Sequence, residues 1–290
     1  MMKFCTGLAR ASLLTLALGL GGCSTLLHSA PKNGEFSAGP LPPAGKIYST
    51  AVAEMQKGAY ERAAKNFDLV VENYPYSTWA THAQLLSGYA QYKEMNYDDA
   101  ISSLNRFIAL HPENQDTAYA YYLKALCYYE QIEGVQREQT TTYEAIQTLQ
   151  DVITRFPNSA YARDARIKLR LANNRLAGHD MVIGRYYEKQ HLYAAAVGRF
   201  QDVVTNYQTT TFAPEALERL VECYLDLGLA KAAVQTGAVL GYNYPGSSWY
   251  LAAYEKLKAH KLVSGDNAAL SGTAKATAPA PKKHHWFWIF

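Results

Sequence analysis

Past its first two dozen residues the chain has no apolar run long enough to cross a bilayer, so no helical membrane span is expected there. It has almost no charge imbalance: 28 Lys and Arg against 25 Asp and Glu leave a net +3 over 290 residues, too little for a general nucleic-acid binder. Cysteine is scarce, four in all, which excludes a small disulfide-stapled scaffold. No phosphate-cradling glycine loop and no G-x-S-x-G element occurs. His82 and His111 fall near separate helix ends, His179 and His191 are twelve residues apart, and His284 and His285 adjoin in a polar tail, so no metal-ligand spacing appears. The carboxylates Glu94, Asp98 and Asp99 read as a solvated helix face. No catalytic constellation emerges; neither an enzyme, a metal nor a cofactor is expected, apart from a covalent lipid.

What is present begins at the N-terminus. Lys3 and Arg10 precede an apolar block at residues 11–20, and Leu20-Gly21-Gly22-Cys23 follows. The block is too short for a transmembrane helix. Its order of positive region, apolar block, small residues and cysteine resembles a bacterial lipoprotein signal, in which the cysteine is acylated and becomes the first mature residue. Residues 1–22 are read as the signal and Cys23 as the lipidation site. Several acyl chains at about 0.8 kcal/mol per buried CH₂ give stable anchoring. Ser24, standing where aspartate is absent, resembles an outer-membrane address. Residues 23–45, rich in Ser, Gly, Pro and Asn, read as a flexible tether, and residues 261–290 as a disordered tail. That tail ends in an aromatic cluster, Trp286, Phe287, Trp288 and Phe290, expected to contact a groove or the lipid interface.

Residues 46–260 are periodic. The segments "YERAAKNFDLVVENYP", "YDDAISSLNRFIALHP", "TYEAIQTLQDVITRFP", "YAAAVGRFQDVVTNYQ" and "AKAAVQTGAVLGYNYP" end at Pro75, Pro112, Pro157, Gln208 and Pro245. Twelve residues before each end stands alanine (Ala63, Ala100, Ala145, Ala196, Ala233), and eight residues after it alanine again (Ala83, Ala120, Ala165, Ala216, Ala253). Alanine lets two helix backbones approach closely, and proline stops a helix because it cannot continue the hydrogen-bond ladder. Each unit is then a helix pair unable to bury its own apolar face, and stacking makes one core. The fold class is all-α, a tetratricopeptide-like superhelix of about five helix pairs. Two longer spacings need extra material: residues 130–141, polar and expected to loop out, and residues 173–192, expected to lengthen a helix. Cys127 and Cys223 share a column with Ala90 and Ala172 and are expected to be free buried thiols.

Such a solenoid works by gripping partners. Tyrosine is abundant in "YAYYLKALCYYEQI", residues 119–132, where some rings are expected to face a groove and hold an extended peptide. The segments "YPYSTWATHAQLLSGYAQYKEMNYDDAISSLNRFIALHPENQDTAYAYYLKALCYYEQI" and "YARDARIKLRLANNRLAGHDMVIGRYYEKQHLYAAAVGRFQDVV", together with the cysteine signal, resemble the BamD (ComL) family of outer-membrane β-barrel assembly lipoproteins. The likeness covers residues 20 to about 260.

That resemblance implies a lipoprotein on the periplasmic face of the outer membrane. Its implied partners are the barrel-forming assembly subunit through its periplasmic domain, other assembly lipoproteins, the C-terminal strands of unfolded outer-membrane proteins, and outer-membrane lipid; nucleic acid is not among them. The N-terminal repeats would receive targeting strands and the C-terminal repeats would hold the barrel subunit. The arginine of that second contact matches Arg199, whose column holds only polar Asn66, Ser103 and Thr148 in other copies. Arginine suits bidentate pairing across an interface. The candidate substrate groove comprises Tyr60, Tyr74, Pro75, Trp79, Tyr119 and Tyr122. The alternative is a periplasmic scaffold or adaptor lipoprotein in cell-envelope maintenance, without substrate recognition.

Overall fold

The structure, a computed structural model, describes residues 40–263. The lipidation position Cys23 and the aromatic residues Trp286, Phe287, Trp288 and Phe290 lie outside the described residues. Among these residues eleven helices follow one another: α1 (Ala44–Gln56), α2 (Tyr60–Asn73), α3 (Ala80–Lys93), α4 (Tyr97–Leu110), α5 (Thr117–Glu130), α6 (Thr140–Arg155), α7 (Ala160–Lys189), α8 (Tyr193–Asn206), α9 (Ala213–Asp226), α10 (Ala230–Asn243) and α11 (Ser248–Ala259). Among the described residues there is no strand, and each helix packs on the next along the chain. The result is a tetratricopeptide-like solenoid of five pairs, α1/α2 through α9/α10, with α11 following.

The alanine columns explain the packing. All ten alanines are fully buried. A methyl group at each crossing lets the backbones close, and bulk is supplied one turn on by Phe67, Leu104, Leu149 and Phe200, and two turns on by Val70, Phe107, Val152, Val203 and Leu240. Gly237 replaces the bulky residue in the fifth copy, and the space is filled instead by Leu257 of α11. Cys127 and Cys223 are fully buried and free, and burial pushes both thiols up to about 12.

Two turn types alternate. Between the helices of pairs one, two, four and five the chain turns through a left-handed residue, Gly58, Met95, His191 or Gly228. The following amide closes back over the helix end, as Asn96 N–H does on the Gln91 carbonyl and Leu229 N–H on the Tyr224 carbonyl. Lys261 repeats this geometry after α11, with Leu262 N–H on the Leu257 carbonyl. So α11 has the form of the first helix of a sixth unit. Between pairs, the even helices stop at Tyr74, His111, Phe156, Tyr207 and Tyr244, all in one non-helical conformation with φ from −135° to −128° and ψ from 39° to 54°, and an exposed proline follows each except Tyr207, where Gln208 stands.

Helix α7 has 30 residues where α1 has 13 and α3, α5 and α9 have 14, and it serves two cores. Its Ala165 and Leu169 pack with Ala125, Leu149 and Val152. Its Ala177 and Met181 pack with Phe200, Leu220 and Val221. The other insertion, residues 131–139, loops out between α5 and α6 and returns to the long helix: Val135 lies against Gly178. The two departures from the repeat period are thus one feature, a loop buttressing an elongated helix.

Candidate functional site

The odd-numbered helices approach one another directly, α3 with α5, α5 with α7 and α9 with α11, whereas the even ones make no contact of that extent among the described residues. In a curved stack, the layer whose members meet is the inner one. The chemistry of that layer changes along the chain.

In the N-terminal half it is aromatic. On α5, Tyr119 and Tyr122 lie 5.5 and 5.3 Å, ring to ring, from Tyr161 of α7. The Tyr122 hydroxyl donates to Asp164 at 2.5 Å, and Lys168 places its ammonium 4.9 Å from the Tyr129 ring. Tyr89 and Tyr92 of α3 pack beside Tyr119 over the neighbouring core. Burial, then neighbouring acid and phenol groups, hold the Tyr119 and Tyr122 hydroxyls well above their ordinary range and raise Tyr92 to about 12. These phenols are therefore neutral donors at any physiological pH. Each ring is half-buried.

In the C-terminal half the layer is ionic. Arg185 of α7 makes a bidentate pair with Glu215 of α9, at 2.8 and 2.6 Å. Arg219 bonds Glu215 at 2.8 Å and reaches back to Glu188 of α7. Lys256 of α11 holds Glu218 and Glu222 of α9 at 2.6 and 2.5 Å. Buried pairs of this kind fix geometry more than they add stability. They set α7, α9 and α11 in one rigid arrangement.

Arg199 lies on α8. Its column partners Asn66, Ser103, Thr148 and Thr236 are all buried, whereas Arg199 is 42% exposed at its side chain. Its Nη1 lies 3.3 Å from the largely buried carboxylate of Asp180 on α7, leaving most of the guanidinium fork open. Burial raises the Asp180 carboxyl, and the Arg199 charge only partly offsets this.

The six groove candidates occupy separate neighbourhoods. Tyr119 and Tyr122 belong to the aromatic layer. Tyr60 begins α2, with Lys93 5.8 Å from its ring, whereas Tyr74 and Pro75 follow that helix, about 20 Å away at 1.5 Å per residue. The Tyr74 hydroxyl donates to the Pro42 carbonyl, and Trp79 packs on Gly45 and on Tyr48 at 4.9 Å. These two fasten the first helix, though Trp79 keeps 43% exposure. Sequence reasoning missed Tyr89, Tyr92 and Tyr161 as members of the layer. Tyr161 carries a signal, standing four residues after Pro157 as Trp79 does after Pro75 and Trp249 after Pro245. The ionic cluster had only the i, i+4 spacing of Glu215 and Arg219 to announce it.

The family model described as outer membrane lipoprotein, YfiO, matches residues 42–240. Among curated proteins, the Outer membrane protein assembly factor BamD of Caulobacter vibrioides is 46% identical over 220 residues, covering 76% of this chain and 72% of that protein. The BamD of Rickettsia prowazekii is 42% identical over 248 residues, covering 86% and 96%. That of Neisseria meningitidis serogroup A is 32% identical over 220 residues, covering 72% and 82%.

Proposed function

From the premise that the chain belongs to the YfiO outer membrane lipoprotein family, whose curated relatives are outer membrane protein assembly factors, we propose that it is a two-faced scaffold of the β-barrel assembly machine. Its relatives' names give the coarse function, assembly of outer membrane proteins. The observation that carries the finer reading is the change of chemistry along the inner layer, aromatic across α3, α5 and α7 and ionic across α7, α9 and α11.

Half-buried tyrosines offer flat apolar area to alternate side chains of an extended strand, and the neutral hydroxyls other than that of Tyr122, which Asp164 holds, can meet its unpaired backbone carbonyls. That suits reception of the C-terminal strand of an unfolded barrel protein. The ion-stapled half is a rigid platform, with Arg199 at its edge offering an open fork to a carboxylate of the barrel-forming subunit's periplasmic domain. Other assembly lipoproteins complete the partner set. A lipid on Cys23 would hold both faces near the outer membrane and raise the effective concentration of each partner. The aromatic end at Trp286 would add a contact with lipid or a subunit.

A double dissociation tests this. Tyr119→Ser with Tyr161→Ser should weaken binding of a C-terminal strand peptide about tenfold while leaving capture of the periplasmic domain unchanged, and Arg199→Glu should do the reverse. Equal losses in both assays for either variant would sink the division of labour. Loss of neither, with folded subunits still bound, would favour the adaptor role.

A further inference from the structure

Helix α7 carries a third feature, independent of the tyrosine layer and of Arg199. Along its N-terminal half Arg163, Arg166, Arg170 and Arg175 are exposed, and between them Ile167 is 50% and Leu171 53% exposed. At 3.6 residues per turn, Ile167 and Leu171 stand one above the other, with Arg163, Arg166 and Arg170 along one flank and Arg175 on the other. The buried side of the helix, at Ala162, Ala165 and Ala172, is turned away from this stripe. Elsewhere on α7 cations are committed: Lys168 to Asp164 and Arg185 to Glu215. Among the described residues Arg163, Arg170 and Arg175 make no ion pair or side-chain hydrogen bond, and Arg166 reaches only the Pro157 carbonyl. One carboxylate, Asp164, stands on the Arg175 flank, and it is already held by Lys168 and by the Tyr122 hydroxyl; the Arg163, Arg166 and Arg170 flank contains no acidic residue.

We propose that this face of α7 docks an acidic amphipathic helix of a partner protein. An apolar pair beside a row of uncommitted charges of one sign is half of a helix–helix seam, and its complement is an apolar pair flanked by carboxylates. Arginine rather than lysine on the flanks matches carboxylates, whose two oxygens it meets with a fork. A lipid surface fits less well. The stripe holds no aromatic residue, and its two apolar side chains make a narrow seam, not the broad apolar half that an interfacial helix buries.

The test uses the purified full chain and a fluorescein-labelled 18-residue peptide with leucines in a heptad seam and glutamates on its flanks, read by anisotropy. Binding should fall as salt rises. It should weaken about tenfold in Arg163→Glu/Arg170→Glu, and recover when the peptide's glutamates are replaced by lysines. Ile167→Ser/Leu171→Ser should weaken the glutamate peptide on the parent chain and the lysine peptide on the reversed chain alike. Circular dichroism melting confirms that each variant is folded, and Arg163→Gln/Arg170→Gln supplies a milder pair if charge reversal disturbs the helix. Unchanged affinity in the reversed variant would overturn the proposal. So would binding to phosphatidylglycerol vesicles, abolished by the same reversal, with no affinity for the peptide.

Discussion

The Nδ1 of His179 donates a hydrogen bond to the backbone carbonyl of Val135 at 2.6 Å, joining the loop after α5 to the middle of α7 across 44 residues of sequence. Because a carbonyl can only accept, the proton of that imidazole resides on Nδ1. The contact ties together the two stretches that break the repeat, and it lies where α7 passes from one core to the next.

The first prediction follows from that junction. A Cβ on Gly178 would meet Val135 Cγ1 at 3.2 Å and the Phe212 ring at 3.3 Å, so the valine is packed into a close crevice. Val135→Asp would place a charge there with no cation at hand. Denaturant unfolding should show a loss of about 1–3 kcal/mol. Hydrogen exchange should show faster opening around residues 173–183 than around α2. Uniform exchange along the chain would mean the loop is not a buttress.

Gly184 of α7 gives a sharper test of packing. An added Cβ would stand 2.5 Å from the ring of Phe200, which is fully buried. Alanine gains about 1 kcal/mol over glycine in helix propensity, but forcing a buried ring aside costs about 1–3 kcal/mol, so Gly184→Ala should be net destabilising or neutral. Adding Phe200→Leu should give back part of the loss, a non-additivity measurable by a double-mutant cycle. Clear stabilisation by the single change would contradict the close approach of α7 and α8.

The ionic layer predicts a pH dependence. Burial pushes the Glu215 carboxyl up, but hydrogen bonds from Arg185 and Arg219 and their charges outweigh it, leaving it below its usual 4.5. A group depressed in the folded state contributes stability that is full above its unfolded value and is lost as pH falls through its folded value. Glu188, Asp68 and Asp180 are instead raised, by burial first. Their protonated forms favour the fold, so mild acidification above about pH 4.5 should not weaken the protein. Glu215→Gln should cost about 2 kcal/mol at pH 7, since it leaves two partly buried guanidinium groups without their anion. Urea midpoints of variant and parent should converge as pH falls through the lowered Glu215 value, where the carboxyl takes up its proton. Parallel curves from pH 3 to 7 would show that the cluster carries no such linkage.

Much of the scaffold was legible in sequence because the repeat imposes one small residue at each crossing. Ala100, Ala120, Ala145 and Ala165 fall where helix backbones meet, and every one is fully buried. The left-handed turns were hidden because Met95 and His191 occupy a conformation usually marked by glycine, as at Gly58 and Gly228. The half-repeat α11 escaped notice because its column residues Trp249 and Ala253 continue the pattern without a second helix to complete it. The ionic layer was illegible for a different reason. Arg185 and Glu215 are 30 residues apart, and their meeting depends on how many extra turns α7 contains, which no local pattern states. The groove candidates suffered likewise: Tyr74 bonds the Pro42 carbonyl 32 residues back and Tyr122 bonds Asp164 42 residues on, partners that no local pattern names.

The account's central claim is that the tyrosine layer receives unfolded barrel protein. The most direct measurement replaces Tyr119, and separately Tyr143 on the exposed surface of α6, with p-benzoylphenylalanine in the otherwise native chain, and cross-links each to an unfolded outer-membrane protein. A strong adduct from position 119 that disappears when the substrate's C-terminal strand is removed, with little from position 143, is the predicted result. Equal yields at the two positions, or an adduct at 119 indifferent to the loss of that strand, would contradict it.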